Sequence, residues 1–295
     1  MVPLPIPAPR EHGYTRTTGV PLYWCRYGRP HAPTLAVLHG GPGADHAYLL
    51  PQLLDLAGEF NLLFYDQRGG GRSKTDDRAP VTWRTHVDDL AAVLAELEPG
   101  APTLLGYSWG GLLALLFAIE SAAGRASPLP RRLALIDPAP VSLAWRRAFE
   151  TEFARRQQGG EIAAMRADLA ASGLRERDAA AYRQRTFELS VAGYFADPRN
   201  AANLTPFRVT GRVQQSVWES LGAFDLVPSL SSVRCAALVV HGRDDPIPLA
   251  SSMAVASALH AELVVLDDCG HVPYVEARDP LMAALRGFFE RSAAH

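Results

Sequence analysis

Ser108 stands in the pentapeptide Gly106-Tyr107-Ser108-Trp109-Gly110, between the apolar run Pro102-Thr103-Leu104-Leu105 and a second run from Leu112 to Ile119. Strand, sharp turn and helix in that order present a serine hydroxyl as a nucleophile. Glycines two residues to either side let the chain pass close to itself. The pentapeptide also arises by chance, so its weight comes from three other segments. His39-Gly40-Gly41-Pro42-Gly43 lies upstream, Gly242-Arg243-Asp244-Asp245 far downstream, and Gly270-His271 after that. A serine hydroxyl is a weak nucleophile at neutral pH and needs a base within hydrogen-bond reach. Together the four segments read as a serine hydrolase working by acyl transfer.

His271 is the expected base, because in the order serine, acid, histidine the base comes last. The chain has nine histidines. His241 is the rival at a strand end, and His260 closes a helix candidate on the solvent side. Asp245 is the expected acid, a carboxylate that holds the imidazole tautomer and stabilises the imidazolium. Asp244 and Asp137 are its rivals, while Asp267 and Asp268 belong to the loop before His271. Backbone N–H groups of Gly41 and Trp109 are the expected oxyanion donors. Gly40, Tyr107 and Glu219 are the candidate substrate contacts. His39 with His46 suggests a metal only faintly, since no carboxylate or thiol stands at zinc spacing. Asp66 to Ser73 is glycine-rich but lacks the lysine of a phosphate loop. The plainer expectation is a structural turn, with Asp66 and Arg68 bonding backbone groups.

These residues need a scaffold, and the apolar runs supply one. Thr34 to Leu38, Asn61 to Tyr65, Leu133 to Ile136, Ala236 to Val240 and Glu262 to Leu266 read as strands, most of them buried on both faces. Helices are expected over Ala47–Ala57, Trp83–Leu97, the stretch after Ser108, and Leu281–Ser292. Gly19 to Tyr27 alternates in part and suggests an antiparallel edge strand or hairpin arm. From Pro140 to Pro228 no buried strand is expected in an alanine- and arginine-rich, helical stretch. The fold class is therefore α/β, a mostly parallel central sheet with helices on both faces and an inserted helical cap. Residues 1–139 and 229–295 would form the core domain and 140–228 the cap.

Composition narrows the function. The 295 residues are 48% hydrophobic and 20% charged, with net charge −2. No basic stripe invites nucleic acid. Lys74 is the single lysine, which argues against Schiff-base chemistry. Cys25, Cys235 and Cys269 are far apart and fit a reducing compartment better than a disulfide framework. Met1 to Arg10 lacks the pattern of a secretory signal, and no apolar run reaches the ~18 residues of a membrane span. The expectation is a cytoplasmic protein with no membrane partner; the oligomeric state is left open.

At this point the motifs resemble a known family, the α/β-hydrolase superfamily, and within it the proline iminopeptidase-like group. His39 to Gly43 resembles that group's oxyanion loop. Asp66-Gln67-Arg68-Gly69-Gly70-Gly71-Arg72-Ser73 resembles its Asp-Gln-Arg-Gly-x-Gly-x-Ser turn, and Ser108-Trp109-Gly110 its elbow. The helix with Trp83, His86, Asp89 and Leu90 is also similar. The match spans roughly residues 20–138 and 230–292. It implies the α/β-hydrolase fold, a helical cap over the site, no metal and no cofactor. It also implies release of an N-terminal residue, often proline, from short peptides. The family holds the substrate amine with glutamates; Glu150, Glu152, Glu188 and Glu219 are available here. Tyr107 stands where the family commonly has glycine or histidine. The same triad in related folds cleaves small esters and lactones, so a carboxylesterase or lactonase is the alternative, and a slow-turnover ligand-binding receptor a further one.

Overall fold

The computed structural model describes residues 5–75, 79–126 and 128–291. Residues 1–4 of the Met1–Arg10 stretch and Ser292, the expected end of the last helix, lie outside the described residues.

Eight strands form one sheet: β1 (Glu11–Tyr14), β2 (Tyr23–Gly28), β3 (Thr34–Leu38), β4 (Asn61–Tyr65), β5 (Thr103–Tyr107), β6 (Arg132–Ile136), β7 (Ala236–Gly242) and β8 (Glu262–Leu266). Their order is β1-β2-β4-β3-β5-β6-β7-β8. From β4 through β8 all neighbours run parallel, and β2 lies antiparallel to both β1 and β4. The hairpin arm expected over Gly19–Tyr27 is thus β2, one place in from the edge. β1 covers it with a polar, exposed sequence that carries no apolar signal.

Alternation along each strand feeds two cores. Leu35 and Val37 join one cluster, and Ala36 and Leu38 the other. Burial of each such side chain contributes about 1.5–3 kcal/mol for a leucine or valine. One face is covered by α1 (Trp83–Leu97), α2 (Trp109–Ala122) and α9 (Leu249–Leu259). α11 (Arg278–Arg291) and two short 3₁₀ turns, His46–Leu49 and Gln52–Gly58, cover the other. The single helix expected over Ala47–Ala57 is these two turns. Pro51 lacks an N–H and pushes Leu50 to an extended φ of −101° and ψ of 148°, which breaks the run.

Between β6 and β7 the described residues form no strand. The segment holds α3 (Leu143–Gln157), α4 (Gly160–Ala171), α5 (Leu174–Arg177), α6 (Ala179–Val191), α7 (Gly211–Leu221) and α8 (Val227–Leu230). Its two ends are pinned together: Leu143 N–H donates to the Phe224 carbonyl and Leu226 N–H to that of Val141, both at 2.9 Å. Among the described residues, no helix is long and apolar enough to cross a membrane.

α2 is buried nearly all round, because it passes hard against the sheet. A Cβ built on Gly110 would lie 2.0 Å from the Leu38 carbonyl oxygen of β3. Backbone on both sides cannot give way. Gly110→Ala is therefore expected to cost about 3 kcal/mol or to prevent folding. Urea unfolding would measure it, and an unchanged midpoint would contradict this packing.

Candidate active site

The loops at the carboxyl ends of the parallel strands build the site. Ser108 sits between β5 and α2 with φ 54° and ψ −119°, a conformation costly for a residue with a Cβ. Four backbone bonds hold it there. Its N–H donates to the Ile136 carbonyl at 2.9 Å, and its carbonyl accepts from Gly111, Leu112 and Ala139.

His271 follows β8 through a short loop, and its N–H donates to the Tyr194 carbonyl at 2.7 Å. Its Nε2 lies 2.9 Å from Ser108 Oγ and its Nδ1 2.8 Å from Asp245 Oδ2. A carboxylate only accepts, so Nδ1 carries the proton and Nε2 faces the hydroxyl as acceptor. Asp245, after β7, also accepts at Oδ1 from the Ile247 N–H at 2.7 Å. Burial lowers the His271 pKa to about 4 and raises that of Asp245 to about 7.

The rivals fall elsewhere. Asp244 is exposed, and its carbonyl accepts from Arg156. Asp267 pairs with Arg243 at the surface. His241 is buried on β7, donating from Nε2 to the Ile247 carbonyl and accepting the Ser252 hydroxyl at Nδ1. His260 is exposed. Asp137 is fully buried beside Asp245 and His241, and its Oδ1 accepts from the Gly242 N–H rather than from His271.

The His39–Gly43 loop follows β3 and abuts the elbow. Gly40 N–H donates to Tyr48 Oη at 2.7 Å, so of the expected substrate contacts Gly40 is already engaged. Gly41 and Trp109 line the cavity beside Ser108. Among the described residues no protein group accepts from the N–H of either. For Trp109 this follows from its place in the first turn of α2.

A buried chain of bonds sets that loop. Trp109 Nε1 donates to Gln67 Oε1 at 2.8 Å, Gln67 Nε2 to the His39 carbonyl at 2.8 Å, and Gln67 N–H to His39 Nε2 at 3.0 Å. His39 Nδ1 then donates to the Gly40 carbonyl. His39 and His46 therefore share no ligand geometry: the His46 ring sits between Asp66 at 2.6 Å and the Cys25 thiol. Despite desolvation, the Asp66 carboxylate holds the His46 pKa up at about 10. Asp66 accepts backbone N–H groups of His46 and Arg72, as a structural turn requires. Arg68 instead grips the Asp89 side chain of α1, at 2.8 and 2.5 Å.

Ser108 and His271 open into a cavity of about 640 Å³. Aromatic side chains dominate its wall: Tyr48, Tyr107 and Tyr274 from the sheet side, Phe149, Phe153, Tyr194, Phe207 and Trp218 from the helices between β6 and β7. Tyr107 donates its hydroxyl to the His271 carbonyl at 2.9 Å. Glu219 is exposed, accepts from Gln215 and is not part of the wall. It falls on the outer face of α7 because Trp218, one residue earlier, takes the inner one. Glu188 is buried but paired with Arg185. Among the described residues, the wall's one carboxylate is Glu150, which accepts from Arg146 at 2.8 Å. The Arg146 guanidinium lies 3.8 Å over the Trp218 ring.

Two positioning residues carry no local sequence signal. Tyr194 lays its ring tilted against the His271 ring, with centroids 5.2 Å apart, while holding its backbone. Glu276 of α10 (Pro273–Glu276) accepts from the N–H groups of Ala196, Asp197 and Gly270 and from Asn200 Nδ2. One carboxylate thus ties the helical segment to the histidine loop. Glu276→Ala is expected to cost about 2 kcal/mol, since it strips four charge-assisted acceptor contacts that water can partly replace. Urea unfolding checks it; a loss under about 0.5 kcal/mol would mean that the tie is already solvated.

Comparison with known proteins agrees with this architecture. A model of the alpha/beta hydrolase family matches residues 35–284. The chain is similar to the proline iminopeptidase of Thermoplasma volcanium, 27% identical over 96% of this chain and 97% of that protein. Among solved structures it is similar to a proline iminopeptidase-related protein from Thermus thermophilus, at 25% identity and TM-score 0.70, covering 95% of this chain and 97% of that one. An enol-lactonase from Burkholderia xenovorans shares the fold at 23% identity and TM-score 0.65, over 94% of this chain and all of the other. With the parallel sheet, the strained turn after β5 and a family model spanning most of its length, the chain belongs to the alpha/beta hydrolase family and is a hydrolase.

Proposed function

We propose that the protein is a serine hydrolase in which Ser108 is the nucleophile, His271 the general base and Asp245 the acid that orients it. The observation that carries this reading is the continuous line from Ser108 Oγ through the imidazole to Asp245, with steps of 2.9 and 2.8 Å. Ser108 attacks the substrate carbonyl while His271 Nε2 takes its proton. The oxyanion rests on the Gly41 and Trp109 amides. His271 then protonates the leaving group, and water hydrolyses the acyl-enzyme by the reverse route. Residues 140–228 act as a cap over the core formed by 1–139 and 229–295, and its aromatic wall selects the substrate.

The substrate favoured by the likeness to proline iminopeptidases is a short peptide that loses its N-terminal residue. Glu150 is the carboxylate available to a substrate amine. A second reading, a small ester or lactone, is favoured by the Arg146 contact that already neutralises Glu150 and by the many aromatic side chains in the wall.

Prolyl and alanyl p-nitroanilides assayed beside short-chain p-nitrophenyl esters separate the two. Anilide cleavage that disappears when the amine is blocked, and weakens in Glu150→Gln, supports the peptidase. Ester cleavage alone supports the second reading. In either assay Ser108→Ala is expected to lose at least about 10³-fold in kcat without unfolding. Asp245→Asn should lose at least about 100-fold, and Asp244→Asn less than about threefold. Full activity in Ser108→Ala would sink the triad.

The pH profile follows from Asp245. Below its pKa of about 7 the carboxyl is protonated and no longer offers the charge that stabilises a His271 imidazolium. kcat/KM is therefore expected to level off above about pH 7 and to fall as pH drops through it, with one apparent pKa belonging to the pair. A profile flat down to about pH 5 would show that Asp245 stays ionised despite its burial.

A further inference from the structure

Asp137, at the end of β6, is fully buried, and its carboxyl has no place in the reaction described above. It lies with His241 and Asp245 in a group whose oxygen and nitrogen atoms fall within 4.8 Å of one another. The two carboxyls thus face each other with an oxygen of each within 4.8 Å. Two ionised carboxylates at that separation in a dry interior would repel strongly, so the pair keeps one proton.

Donor counts decide which carboxyl keeps it. Asp245 accepts at both oxygens, from the Ile247 N–H and from His271 Nδ1. Among the described residues, Asp137 accepts at Oδ1 from the Gly242 N–H at 2.8 Å, with His241 Nδ1 3.4 Å away, and no donor reaches its buried Oδ2. A buried carboxylate oxygen without a donor is costly, whereas the same oxygen carrying a proton becomes a donor itself. His241 is no acceptor for it. Its Nδ1 already takes the Ser252 hydroxyl and its Nε2 donates to the Ile247 carbonyl. The remaining acceptor is Asp245.

We propose that Asp137 is a positioning residue: a neutral carboxylic acid that donates from Oδ2 to Asp245 and keeps that carboxylate ionised and aimed at His271. This rests on the triad reading. Charge and burial around the pair agree with it. Desolvation, with the neighbouring Asp245, drives the Asp137 carboxyl far above the usual range. The other titratable groups facing the pair are Tyr107 on β5, Tyr194 between α6 and α7, His241 on β7, Cys269, His271 and Tyr274 beyond β8, and Arg156 on α3. Among the described residues, Arg156 is the arginine that acts on Asp245, and its guanidinium bonds the Asp244 carbonyl.

The test compares Asp137→Asn, which keeps shape and a donor, with Asp137→Leu, which fills the space without one. The whole chain is used, on whichever ester or anilide it turns over, with thermal unfolding as a folding check. Asp137→Asn should retain kcat/KM within about fivefold and leave the acid limb in place. Asp137→Leu should lose about 30-fold or more, with the acid limb moved upward by about one unit as Asp245 becomes harder to ionise. Should Asp137→Leu fail to fold, infrared difference spectra of wild type against Asp137→Asn decide. A protonated carboxyl stretch at neutral pH, lost in the variant, supports the proposal; its absence overturns it. Loss in Asp137→Asn as deep as in Asp245→Asn overturns it too, because Asp137 would then be an ionised acid. Wild-type rates and pH profile in a folded Asp137→Leu do the same. None of these outcomes depends on Ser108→Ala, whose full activity would instead remove the triad itself.

Discussion

One strained backbone position organises the molecule. Ser108 adopts φ 54°, which a side chain resists, and it stays there because its neighbours leave no alternative. β5 ends against β6, α2 starts against the β3 carbonyls, and the serine peptide is bonded on both sides. The large buried surface of α2 offsets the strain. The hydroxyl therefore projects beyond the sheet without any flexible arm to hold it.

The second constraint is dryness. His271 and Asp245 are both buried, and burial disfavours charge on each. A neutral imidazole is what a base requires; an ionised carboxylate in the same place needs donors around it. The Ile247 N–H, the imidazole itself and the carboxyl of Asp137 are the groups at hand. On the other side of the serine, the Gln67 side chain links Trp109 to the His39 loop. Ser108 is thus flanked on one side by the buried His271–Asp245 pair and on the other by the uncharged Gln67 link.

Much of this was legible in the residues. Parallel strands buried on both faces must be apolar throughout, so β3 to β8 announce themselves as short runs. The elbow reads clearly because strain there demands glycine at fixed distances. β1 does not, since an exposed edge strand follows no apolar period. Pro51 was in plain view, yet the apolar spacing around it suggested one continuous helix. Between β6 and β7, α3, α4 and α6 carry little apolar contrast, so which face looks inward is decided by packing at a distance, and Glu150 was only one of several acids. α7 does carry an apolar stripe, with Val213 and Val217 buried, and that spacing leaves Glu219 outside; this signal was present in the sequence. Tyr194 acts through a carbonyl whose partner lies 77 residues away, and Glu276 through a carboxylate that reaches Ala196, 80 residues away, as well as nearby Gly270; no local pattern encodes such a meeting.

The Glu276 carboxylate also bears on how such a chain can change. It gathers amides from Ala196 and Asp197, in the helical segment, and from Gly270, next to the histidine. The helices that shape the cavity are therefore not an interchangeable accessory. A graft that replaced them with helices from a relative would remove the Tyr194 carbonyl and these amides together, and leave His271 on a loop with a buried, unmatched edge. Drift in substrate preference is easiest at the aromatic wall, one side chain at a time, while the stretch around Ala192 to Asp197 must travel with the strand-end loops that it supports.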